Sequence, residues 1–192
     1  MHSNGQTTAI DANYASQLKV SGLSSLDAAL RETSIRTALP DTEQEAMTMM
    51  TLKKGQLNMQ DYDKYADEFI EKFPTSAFGY KEKAFDLVND SKYEEAARMM
   101  ETGIKKSAAK DEAHSNYSDI IYQKIIYKGD SVYTAWTLDK ALDEARQAYA
   151  IKAQPVYKHQ EARILFTKGD YADAANIFLD LTKTPINSGE LY

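Results

Sequence analysis

The chain has no cysteine. Disulfides, thiolate zinc sites and cysteine nucleophiles are therefore excluded. Among its 192 residues there are only 8 glycines and 4 prolines, too few for a turn-rich β sandwich. No apolar run approaches the ~20 residues needed to cross a bilayer, so direct membrane insertion is not expected. Cations are outnumbered, with 23 Lys and Arg against 29 Asp and Glu and a formal net charge of −6. That argues against nucleic acid as a partner, because the phosphate backbone calls for a basic surface. The histidines, His2, His114 and His159, show no His-x-x-x-His or carboxylate-flanked pairing, so no metal site is expected. Gly129 and Gly169 are isolated turn residues and build no phosphate loop. No Gly-x-Ser-x-Gly elbow is present. The expectation is a protein that is not an enzyme and carries no cofactor. The lack of cysteine suits a bacterial periplasmic protein as well as a cytoplasmic one, so the compartment stays open. Residues 1–8 are polar and read as a flexible tail at an artificial boundary, from which a native leader has been removed.

What is present is a period. Taking Ala28, Tyr62, Ala96, Ala141 and Ala174 as equivalent, successive spacings are 34, 34, 45 and 33 residues. A spacing near 34 with small and aromatic residues at fixed places indicates stacked helix pairs. Residues 9–42 read as a degenerate N-terminal pair, with Leu23, Leu26, Ala29 and Leu30 on one face and Glu32 where an apolar residue belongs. The second pair opens on Thr42 and Glu45 in capping-box form. Ala46, Met49, Met50 and Lys53 follow on one face, with Gly55 as the stop, and helix 59–72 carries Tyr62, Tyr65, Ala66, Phe69 and Ile70 inward before Pro74. In the third pair, helix 76–88 carries Tyr80, Ala84 and Leu87. Ser91 and Glu94 suggest a second capping box before Tyr93, Ala96, Ala97, Met100 and Ile104.

The fourth pair is irregular. Its first helix, 111–127, is longer than its counterparts, and about seven extra residues, including Val132, Tyr133 and Trp136, form an insertion near 128–137. A lone Trp usually finds burial, so Trp136 and Tyr133 are expected to cover the lengthened helix. The fifth pair spans 155–167 and 171–182, with Ala162, Leu165, Ala174, Phe178 and Leu181 inward and Pro185 as its end. Residues 189–192 begin another first helix, and the expectation is a fragment of a longer array, because solenoids usually end in a polar cap.

The pattern resembles the tetratricopeptide repeat (TPR) family. Residues 155–188 match it through Ala162, Gly169, Asp170, Tyr171, Ala174, Phe178 and Pro185; residues 77–110 match through Tyr80, Ala84, Leu87, Tyr93, Ala96 and Met100. Residues 43–76 match more loosely through Tyr62, Ala66, Phe69 and Pro74, and Gly103 and Glu32 depart from the pattern. The resemblance spans 43–188, TPR-like repeats with one insertion. It implies an all-α fold, a right-handed α-α superhelix of stacked helix hairpins. It also implies a concave groove, lined by the first helix of each pair, that holds a peptide or protein segment. Carrying the groove positions onto this chain gives Phe78, Lys81 and Phe85, then Asp119 and Tyr122 with Ser115, then His159, Arg163 and Phe166. The same aromatics could pack between repeats instead, and Lys81 and Arg163 could be plain solvated charges. A subclass of the family clamps a C-terminal carboxylate, but only Lys81 and Asn116 match its residues; Phe85, Val156 and Gln160 do not.

Paired acids such as Glu94-Glu95 and Asp143-Glu144 read as exposed solubility surface on the second helices. The functional expectation is a non-catalytic protein-interaction scaffold with a protein or peptide partner. The alternatives are an oligomerisation or intramolecular docking module that regulates an attached domain or further repeats of the same chain, or an accessory part of a bacterial envelope uptake or assembly system.

Overall fold

The structure, a computed structural model, describes residues 38–54, 59–128 and 133–183. The expected tail, the first helix pair, the Gly55 stop, Val132 and the segment from Thr184 onward, including Pro185 and the start of a next repeat, lie outside the described residues. Every regular element described is a helix: α1 (Glu43–Lys54), α2 (Met59–Lys72), α3 (Ala77–Asn89), α4 (Tyr93–Lys106), α5 (Lys110–Lys128), α6 (Leu138–Ile151), α7 (Pro155–Lys168) and α8 (Tyr171–Lys183). These bounds follow the expected helices to within one residue where both were read. The chain divides into two compact units between Phe69 and Ile70, inside α2.

In the first unit, Thr42 caps α1. Its Oγ1 accepts from the Glu45 N–H at 3.4 Å and donates to the Glu45 carboxylate at 2.8 Å. The return bond thus comes through the hydroxyl rather than the capping residue's own N–H. Ala46, Met49, Met50 and Lys53 are buried on one face, as are Tyr62, Ala66 and Phe69 of α2. The Lys53 ammonium is buried over the face of Tyr65, 5.1 Å from its centroid, an attraction between cation and ring quadrupole.

In the second unit, α3/α4, α5/α6 and α7/α8 are antiparallel hairpins; α5 packs on both α3 and α4, and α7 packs on both α5 and α6. Small residues sit where backbones cross: Ala84, Ala96, Ala113, Ala141, Ala145, Ala162 and Ala174 are all buried. Ser118 plays the same part, and its hydroxyl donates to the Ala141 carbonyl at 2.7 Å across the α5–α6 contact. Successive connections also touch, with the Ala108 N–H donating to the Thr75 carbonyl at 2.9 Å.

One local expectation needs correction. Ser91 does not cap α4. It adopts φ 62° and closes α3, its N–H bonding the Val88 carbonyl at 3.1 Å while the Lys92 N–H reaches the Leu87 carbonyl at 2.7 Å. That pair of bonds is a Schellman C-cap. Lys92 is left at the N-cap of α4, where its side chain caps no helix N–H and instead bonds Asp90 at 2.9 Å. Gly169 does the same at the end of α7, with φ 93° and bonds from Gly169 to Phe166 and from Asp170 to Leu165. Lys110 begins α5, and its ammonium donates to the Ile104 carbonyl near the end of α4 at 3.3 Å.

Trp136 is buried against the lengthened helix. It makes edge-to-face contacts with Tyr93, Tyr117 and Tyr133 at centroid distances of 6.0, 6.4 and 5.6 Å. Its indole N–H donates to the Tyr117 hydroxyl at 3.3 Å.

Candidate functional site

The first helices α3, α5 and α7 bring their groove-position residues into a strip. Each contributes residues at i, i+3 or i+4, and i+7 because those positions share one helix face. Asp119, near the middle of α5, lies within electrostatic reach of Arg163 on α7 and Lys81 on α3. Burial pushes the Asp119 carboxyl above the usual carboxylate range; Arg163, the Gln123 amide and Lys81 oppose that rise without cancelling it. The Gln123 amide donates to Asp119 Oδ2 at 2.6 Å.

Both cations of the strip rest on aromatic faces. The Arg163 guanidinium carbon is 4.9 Å from the centroid of Tyr122, and the Lys81 ammonium is 4.7 Å from that of Phe78. Tyr122 is buried, and its hydroxyl shares a hydrogen bond with Thr167 Oγ1 at 3.1 Å. Thr167 was not singled out in the sequence, though its place four residues after Arg163 on the same face was a usable signal. Lys81 also pairs with Glu82 at 3.1 Å.

The expected residues therefore divide. Lys81, Asp119, Tyr122 and Arg163 come together. Phe85 is half-buried against the core. Phe166 is not packed between repeats; it is 59% exposed and meets Tyr171 edge-to-face at 5.2 Å. His159 is exposed and contacts Phe178 of its own hairpin, 5.7 Å between centroids. Ser115 is tied to α7, its hydroxyl donating to Gln160 Oε1 at 2.9 Å while the Gln160 amide donates to the Ser115 carbonyl at 3.0 Å.

Glu144 corrects the reading of Asp143-Glu144 as solvent-facing. Asp143 is exposed, but Glu144 is buried. His114 Nδ1 lies 2.6 Å from one of its carboxylate oxygens and Lys140 donates to the other at 2.6 Å. Glu161 is held the same way by Arg146 at 2.8 Å and Lys158 at 2.7 Å. Burial alone would raise both carboxyls, but these bonds outweigh it and hold each below its ordinary value. The two clusters join α5 to α6 and α6 to α7. A third link is buried, the Tyr157 hydroxyl donating to Asp111 at 2.8 Å; burial, then Asp111, push that phenol well above its ordinary range.

Among the described residues no group of three His, Asp or Glu side chains could hold a metal ion. No described helix is long and apolar enough to cross a membrane.

No family model and no curated protein matches the chain. Solved structures do. MamA residues 41 to the end, from Desulfovibrio magneticus RS-1, and a MamA RS-1 ArsTM double mutant each align over 94% of this chain and 96% of their own, at 16% identity and TM-score 0.50. At that identity the likeness bears on the fold, which is an all-α, TPR-like solenoid of helix hairpins.

Proposed function

We propose that the protein is a non-catalytic interaction scaffold that holds a peptide or protein segment along the strip formed by α3, α5 and α7. The observation that carries this reading is the joining of Lys81, Asp119 and Arg163 from three separate helices, with Phe78 and Tyr122 beneath the two cations. Charges over aromatic faces, beside an exposed aromatic such as Phe166, combine the orientation and the apolar area that a segment needs. Half-buried Asp119 supplies the strip's negative charge, within electrostatic reach of both cations. Phe85 and His159 flank this centre as outer members of the strip.

Reversing both cations tests it. A Lys81→Glu, Arg163→Glu variant that keeps its helical circular dichroism and melting temperature is expected to lose the partner retained by the unaltered protein in affinity capture from the source cell. Unchanged recovery of that partner moves the site off this strip. The docking and oligomerisation reading is separated by light scattering, where a monomer at all concentrations argues against self-assembly.

A further inference from the structure

The strip contains one cation prepared for a partner, and it is Arg163. Its guanidinium is exposed and stacked on Tyr122, which is itself buried and anchored through Thr167. A guanidinium that lies over a ring by its face keeps its N–H donors in plane for other partners. Among the described residues those donors make no hydrogen bond and no ion pair within 4.0 Å. Asp119 attracts Arg163 from farther away, while its own Oδ2 takes the Gln123 amide. Lys81, the other cation, is already paired with Glu82 at 3.1 Å. Three residues beyond Arg163 stands Phe166, more than half exposed, against Tyr171.

We propose that Arg163 receives the carboxylate of an acidic side chain within the bound segment, and that the ledge of Phe166 and Tyr171 takes an aromatic or aliphatic neighbour of that acid. This rests on the groove reading above and names the chemistry of its occupant. Guanidinium and carboxylate match as a planar two-bond fork. An internal side chain fits better than a chain terminus, because terminal capture draws on donors from several helices and here Lys81 is committed. Asp119 tempers the site: its negative charge competes with the incoming acid for Arg163. Removing that charge strengthens binding, whereas removing Arg163 weakens it.

The test uses the whole chain and a displayed library of random peptides fused at their C-termini, so that no free terminal carboxylate is offered. Enriched sequences are expected to carry Asp or Glu beside an aromatic or aliphatic residue. For a synthetic version of one such peptide, Arg163→Ala is expected to weaken binding about tenfold or more, the scale of a charge-assisted hydrogen-bonded pair. Arg163→Lys recovers part of the loss, since an ammonium carries the charge without the fork, and Asp119→Asn tightens binding. Glu→Gln in the peptide should lose as much as Arg163→Ala, with the protein's melting temperature unchanged. If enriched peptides lose binding in the Lys81→Glu, Arg163→Glu variant yet are indifferent to Glu→Gln and to Arg163→Ala, the carboxylate assignment fails and the groove stands. A peptide that binds only with a free C-terminus overturns the internal-acid assignment. Enriched peptides that ignore the double variant, or no enrichment at all, remove both the assignment and the groove reading.

Discussion

Gly103 of α4 lies directly under the side chain of Tyr80 on α3. A Cβ built on Gly103 would stand 2.8 Å from Tyr80 Cβ and 3.0 Å from its Cγ. Tyr80 is fully buried, and its hydroxyl donates to the Pro74 carbonyl at 2.8 Å. The ring is therefore held at both ends and cannot swing aside. A glycine that looks like a departure from the repeat pattern is what permits the close approach of the two helices of this hairpin.

Replacing Gly103 by Ala should destabilise the protein even though alanine is the better helix former. The propensity gain is about 1 kcal/mol, and forcing a methyl against an anchored ring costs about 1–3 kcal/mol. Chemical denaturation should show a net loss, and the loss should shrink when Tyr80→Ala is added. Equal effects of Gly103→Ala in both backgrounds would show that the ring is not the obstacle.

Ser91 offers the opposite case. A non-glycine residue at φ 62° carries left-handed strain, worth about 1–2 kcal/mol. Ser91→Gly is expected to raise stability by about 1 kcal/mol, reduced by the loss of the exposed Tyr93–Ser91 hydroxyl contact at 3.3 Å. Gly169→Ala, at the equivalent C-cap with φ 93°, should lower stability by a similar amount. Thermal melts of the two variants should move in opposite directions.

Acid should loosen the α5–α6–α7 stack. Glu144 and Glu161 titrate below their ordinary value in the folded chain, so the unfolded chain binds protons first as pH falls. Their contribution is present above the ordinary carboxylate range and is lost as pH drops through the lowered folded values. Urea midpoints between neutral pH and pH ~3 should fall most steeply there. Glu144→Gln and Glu161→Gln should flatten that slope while reducing stability at neutral pH. Asp119 works the other way: its raised carboxyl costs stability at neutral pH and relieves that cost on protonation. Asp119→Asn should therefore be neutral or stabilising at pH 7.

Trp136 is the only tryptophan and sits in the shared core of α4, α5 and α6. Trp136→Ala should cost about 3–5 kcal/mol. Trp136→Phe should cost less, losing the bond to Tyr117 but keeping an aromatic partner for the three tyrosines. In the unaltered chain, intrinsic fluorescence should report unfolding of this region coincident with circular dichroism. An early fluorescence change would show the region around Trp136 opening by itself.

Periodicity in the amino-acid order determined the helices, their pairing into hairpins, the small residues at the crossings and the positions that share one helix face. Those features follow from the helical repeat of 3.6 residues and from side-chain size, both local properties. Tertiary structure decided the rest. Ser91 became a helix stop rather than a start because the Schellman bonds of α3 had first claim on its backbone. Glu144 went inside because His114, thirty residues away, brought it a partner. Phe166 stayed outside while Tyr122 was covered, although both hold equivalent places on their helices, because α7 packs over one and the described residues leave the other open. Gly103 is explained only by Tyr80. For Glu144, Phe166 and Gly103 the deciding contact joins residues that no spacing rule connects, since burial and pairing depend on which helix faces arrive at the same place.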